Sequence, residues 1–199
     1  TVLDMTGLAQ KGGSVYSHIR IADEQEALHA VRIAAGEADA VIGGDLIVSA
    51  SVEALAKMAS GRTRAVVNTA EIPTAEFAHN PDWRFPRAQM IAAVRAASAA
   101  DSDFIDAQGM ALALLGDGIA TNLFLLGFAW QRGLVPVSEH ALLQAIELNA
   151  TAVALNKRAF LWGRRAAHDA DAVERHLGAS AATNTLEPGL DALIERRAA

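Results

Sequence analysis

The 199-residue chain contains no cysteine. A disulfide framework is therefore excluded, and so is an iron–sulfur cluster held by thiolates of this chain. Long apolar runs are also missing. The longest, Leu123 to Trp130, falls far short of the ~20 residues that cross a bilayer, and no signal-peptide pattern is present, so a soluble cytoplasmic protein without a membrane partner is expected. Positive charge is scarce: 17 Lys and Arg stand against 23 Asp and Glu, a net charge of −6. Nucleic acid is thus excluded as the main partner, because phosphate binding needs a clustered positive field. A small anion in a local basic pocket stays compatible with that balance.

Histidines are present but scattered. His18, His29, His79, His140, His168 and His176 form no pair with the spacing of a zinc protease or zinc finger, so no metal site is expected. Asp4, Glu71, Glu76 and Asp106 form no recognisable acid–base pair, and no serine sits in a nucleophile-elbow sequence. No catalytic residue is nominated.

What the chain has is apolar content, 52% of residues and much of it alanine, enough for a core of close-packed helices. Strand-like runs occur at Thr1–Met5, Ser14–Ile21, Ala40–Gly43, Arg64–Asn68 and Asp103–Asp106. Helical stretches lie at Asp23–Gly36, Ser51–Ala59 and Arg87–Ala100. Ala40-Val41-Ile42 and Ala65-Val66-Val67 are short, apolar and β-branched, as in strands buried on both faces. The alternation predicts a three-layer α/β/α domain with a mostly parallel, Rossmann-like sheet. From Gln108 the pattern turns helical: Gln108–Leu115, Asn122–Arg132, Glu139–Asn149 capped by Ser138, and a long amphipathic helix at Ala152–Ala167. The expected organisation is an α/β domain over 1–150, a helical extension over 151–178, and a linker opening a further helical region over 179–199. Thr1 already reads as strand and Ala199 as helix, so both ends are expected to be cuts in a longer polypeptide.

Residues 14–21 alternate. Val15, Ser17, Ile19 and Ile21 share one face of the strand; Tyr16, His18 and Arg20 share the other. This predicts a half-buried strand near an edge with a polar face that needs a partner. Before it, Gly12 and Gly13 allow positive φ and close backbone approach. Lys11, Ser14, His18 and Arg20 add donors, a combination that suits a phosphate, a carboxylate or an oxyanion. A tight hairpin with a solvated polar face explains the same residues equally well. Gly43-Gly44-Asp45 is a strand end of the kind that meets ligands, or a glycine turn closed by a capping Asp. Asn122 offers its amide to a ligand or caps the apolar helix. Lys157, Arg164 and His168 share a helix face with Arg158 and Arg165 beside it, a stripe for phosphates, for an acidic neighbouring domain or for solvent.

The run from Gly7 to Arg20 is similar to the signature of the gamma domain of 2-oxoacid:ferredoxin oxidoreductases, most of all the fused bacterial indolepyruvate ferredoxin oxidoreductases. Asp39–Leu46, Val67-Asn68-Thr69 with Pro73-Thr74, Gly118–Asn122 and Phe160–Ala167 are similar as well, so the resemblance covers nearly the whole chain. The family domain opens with a strand, a glycine-rich turn and a helix. That first βα unit is expected to be missing ahead of Thr1, and no role of its glycine loop is carried over.

The resemblance implies oxidative decarboxylation of a 2-oxoacid to an acyl-CoA, with ferredoxin as the electron acceptor. Thiamine diphosphate, magnesium and iron–sulfur clusters are implied elsewhere in the full enzyme and none in this fragment. The implied partners are other domains or subunits of the same oxidoreductase, with coenzyme A a candidate and a homo-oligomer expected. The fragment is expected to be inactive alone, with Lys11, Gly12, Gly13, Ser14, His18, Arg20 and Asn122 as the candidate ligand-binding residues. A stand-alone α/β nucleotide-binding or regulatory module and a purely structural assembly domain are the competing readings.

Overall fold

The computed structural model describes residues 2–4, 15–24, 26, 28, 30, 32–71 and 85–184, with backbone alone for 2–4 and 178–184. A short antiparallel pair comes first: β1 (Val2–Asp4) against β2 (Ser17–Ile19), with Leu3 opposite His18. The main sheet is parallel and has three strands in the order β3 (Ala40–Gly43), β4 (Arg64–Asn68), β5 (Asp103–Ile105). Val41 lies opposite Ala65 and Val67 opposite Phe104.

β4 is the middle strand, and Ala65 through Asn68 are buried. Its side chains feed two cores on opposite faces of the sheet, as the period of two requires. Ala65 and Val67 join Leu46, Met58 and Val94, the core beneath α1 (Leu46–Ser49), α2 (Val52–Leu55) and α3 (Arg87–Ala97). Val66 points the other way, into a core with Phe124, Phe128 and Ala159. That arrangement is the expected three-layer α/β/α sandwich. β3, in contrast, is an outer strand of its sheet, and Ile42 is 42% exposed, not buried on both faces as its composition suggested. Its outer side opens onto a groove.

The second core belongs to α4 (Ala107–Leu115), a 3₁₀ turn (Gly118–Ala120), α5 (Thr121–Gln131), α6 (Glu139–Leu148) and α7 (Val153–His168). Ser138 caps α6 as its sequence predicts, accepting the Ala141 N–H at 3.2 Å. α5 is apolar almost all round because it is covered on several sides; Phe124 and Ala129 are fully buried. α7 crosses it at a contact of two glycines, Gly127 and Gly163, where each backbone lies directly against the other. The long helix therefore shares the core of the α/β part. α8 (Ala170–Asn184) follows and continues six residues into the stretch read as linker; residues 185–199 lie outside the described ones.

Of the helix expected at 23–36, residues 25, 27, 29 and 31 lie outside the described ones; the described residues of the stretch show bends, a turn and a 3₁₀ residue at 26, with no α-helix among them. Two backbone groups near the end of the stretch are held by side chains of residues 18 and 20. The Ile33 N–H donates to His18 Nδ1 at 3.0 Å, and the Arg32 carbonyl accepts from Arg20 Nη2 at 3.0 Å.

Candidate functional site

The groove beside β3 has a volume of about 460 Å³. Tyr16 and His18 form one wall, the backbone from Ala40 to Asp45 the other, and Lys57 and Asn122 also line it. β2 is inverted relative to the usual rule: its polar face turns inward. His18 is buried and Tyr16 is half-buried, its hydroxyl 2.7 Å from Ser51 Oγ. Val15, Ile19 and Ile21 are each more than half exposed. The polar face does find a partner, and the partner is the protein itself.

His18 accepts a backbone N–H at Nδ1, so its neutral form carries the remaining proton on Nε2. Burial lowers its pKa from the ordinary 6.5, and the Lys57, Arg32 and Arg20 cations lower it further. The imidazole is thus a neutral hydrogen-bond donor at physiological pH.

Arg20 does not line the groove. Its guanidinium reaches Glu37 Oε2 at 3.0 Å in addition to the Arg32 carbonyl. Lys11, Gly12, Gly13 and Ser14 lie outside the described residues. Asn122 is at the rim, exposed, 3.8 Å from where a Cβ on Gly44 would sit. It is not the cap of α5: the first turn is prepared by Asp117, which caps the 3₁₀ segment, and Thr121 Oγ1 donates to the Gly118 carbonyl at 2.6 Å. Its amide is therefore left for other contacts.

Gly43-Gly44-Asp45 has a local explanation. Asp45 Oδ1 accepts the Val48 N–H at 2.8 Å and caps α1. A Cβ on Gly43 would lie 2.1 Å from Ser49 Oγ, so glycine is needed there for packing. Gly44 is held by the buried Asn68 side chain, whose Nδ2 donates to the Gly44 carbonyl at 3.1 Å. Asn68 Oδ1 accepts the Ala107 N–H at 3.1 Å and the Ala70 N–H at 3.3 Å, tying the ends of β3 and β4 to the start of α4.

Two contributors carry no sequence signal. Lys57 closes an ordinary helical stretch, and Asn68 looks like any strand-end asparagine. Both acquire their roles through contacts distant in sequence.

The chain has no cysteine for a cluster, and among the described residues no group of three His, Asp or Glu could hold a metal ion. No helix of the described residues is long and apolar enough to cross a membrane.

No curated protein and no solved structure matches the chain. The family model for pyruvate ferredoxin/flavodoxin oxidoreductase matches residues 1–166. The match takes in the groove, the whole parallel sheet and α7 as far as its last buried turn. On that extent of similarity, the chain belongs to the pyruvate ferredoxin/flavodoxin oxidoreductase family.

Proposed function

We propose that the chain is the accessory gamma-type domain of a thiamine-diphosphate-dependent 2-oxoacid:ferredoxin oxidoreductase, of the indolepyruvate or arylpyruvate class, and that it has no turnover alone. The family match over residues 1–166 carries this reading. It is supported by a chain that offers a lined groove but no acid–base pair, thiolate or metal cluster among its described residues. Thiamine diphosphate supplies the carbon chemistry and iron–sulfur clusters the electron path, both from other parts of the enzyme.

The role left to this chain is to hold an anionic group, with a coenzyme A phosphate as the candidate, at the β2–β3 groove. His18 offers a neutral donor, Asn122 an uncommitted amide and Lys57 a charge. Lys11, Gly12, Gly13 and Ser14 complete the proposed set, while Arg20, tied to Glu37 and the Arg32 carbonyl, is left out of it. A hydrogen bond to a charged group contributes about 1.5–3 kcal/mol. Lys57→Ala in the intact enzyme, which removes the cation that lines the groove, should then weaken the coenzyme A-dependent step about 10- to 100-fold, at 1.4 kcal/mol per decade. Arg62→Ala, at an exposed arginine paired with Asp39, serves as the control and should leave that step unchanged. A Lys57→Ala enzyme that folds normally with unaltered kcat and KM for both substrates rejects the anion site.

A further inference from the structure

α7 carries Lys157, Arg158, Arg164 and Arg165 and no acidic residue, in a chain whose acids outnumber its bases. Two of these cations are satisfied from α6. Lys157 pairs with Glu147, and Arg164 pairs with Glu139 while its Nε donates to Gln131 Oε1. Arg158 and Arg165 have no acidic partner among the described residues. Both are exposed, and between them lies Leu161, 48% exposed. The order Arg158, Leu161, Arg165, His168 steps by three, four and three residues, a straight stripe along one helix face. The stripe borders a cleft of about 550 Å³ beside Trp162.

We propose that this face of α7 docks an acidic helix from another part of the oxidoreductase. The inference rests on the accessory-domain reading and names the contact that reading requires. Charge and spacing decide the occupant. Arg158 and Arg165 are seven residues apart, about 10 Å along the axis, too far for one phosphate to bridge. Carboxylates on a helix lying alongside, seven residues apart, match both guanidiniums, and an apolar residue between them covers Leu161. Trp162 is a poor platform for a nucleotide base. It already holds the Arg165 guanidinium 5.9 Å from its ring and the His176 ring 5.1 Å away, and a base would compete with both. Arginine and tryptophan beside a central apolar side chain is also the composition that concentrates binding energy at protein interfaces.

Hydroxyl-radical footprinting of Leu161 tests the proposal in the 199-residue chain and in the intact oxidoreductase. Leu161 should be oxidised readily in the chain and protected severalfold in the enzyme. The double variant Arg158→Glu, Arg165→Glu should weaken docking about 10- to 100-fold, because like charges set opposite one another cost more than a lost pair, and so restore labelling. Arg158→Gln with Arg165→Gln should fall between, with helicity unchanged in both. Equal labelling of Leu161 in chain and enzyme overturns the proposal, as does protection that survives charge reversal. Concentration-dependent protection in the chain alone would assign the face to a second copy, and protection by inorganic pyrophosphate to a phosphate ligand; either result overturns it. The accessory-domain reading stands or falls separately, on whether the chain alone oxidises a 2-oxoacid.

Discussion

Gly127 of α5 and Gly163 of α7 form a reciprocal contact. A Cβ on Gly127 would sit 2.0 Å from the Phe160 carbonyl oxygen, and a Cβ on Gly163 would sit 1.9 Å from that of Phe124. Each glycine is thus excluded from change by the backbone of the opposite helix, which cannot swing aside as a side chain can. Alanine at either position gains up to ~1 kcal/mol of helix propensity. Overpacking against a fixed backbone costs about 1–3 kcal/mol or more and should win. Gly127→Ala and Gly163→Ala are therefore expected to lower the urea midpoint. Either variant matching the parent midpoint would mean that the helices separate freely.

His18 should make stability depend on pH. Its folded pKa lies below 6.5, first through burial and then through Lys57, Arg32 and Arg20. As pH falls, the unfolded chain takes up the proton first, so stability is lost from about 6.5 downward toward the folded pKa. Protonation at Nδ1 also removes the acceptor of the Ile33 N–H. His18→Asn keeps an acceptor and cannot titrate. Thermal melts between about pH 8 and pH 5, where histidine changes charge, should show the parent losing more stability than His18→Asn. Parallel curves would contradict the assignment.

Asn68 should behave as the staple of the groove. It is 1% exposed and joins Gly44, Ala70 and Ala107 through one side chain. Asn68→Ala leaves buried backbone groups unpaired, at about 1–3 kcal/mol. Amide exchange at Ala107 should accelerate with the loss of its acceptor. Asn68→Asp keeps the acceptor but faces the Gly44 carbonyl with a second oxygen, so it should slow Ala107 exchange again without recovering full stability. Unchanged exchange in Asn68→Ala would show that the three segments hold together without the side chain.

The comparison of sequence with structure divides along the range of the contacts involved. β4 was legible because a buried β-branched run announces itself locally, and α6 because Ser138 caps it from the adjoining residue. The stretch 23–36 has helical periodicity, but at its described end His18 and Arg20 bind the backbone of Ile33 and Arg32, contacts that no local pattern signals. The capping role read for Asp45 is what the structure has, on α1, a single helical turn. In the candidate site, His18 and Asn122 were legible and do share the groove. Arg20 was legible as polar, but strand alternation says nothing of the Glu37 that draws it away. Lys57 was silent because only the tertiary fold brings it beside His18.

The central claim is that this chain is a non-catalytic domain of a larger 2-oxoacid oxidoreductase. It is tested most directly by 2-oxoacid-dependent reduction of methyl viologen. The purified 199-residue chain is supplied with thiamine diphosphate, magnesium, coenzyme A and either pyruvate or indolepyruvate, with and without the remaining parts of the oxidoreductase. The account predicts no reduction by the chain alone and turnover once the other parts are added. Sustained turnover by the chain alone would contradict it.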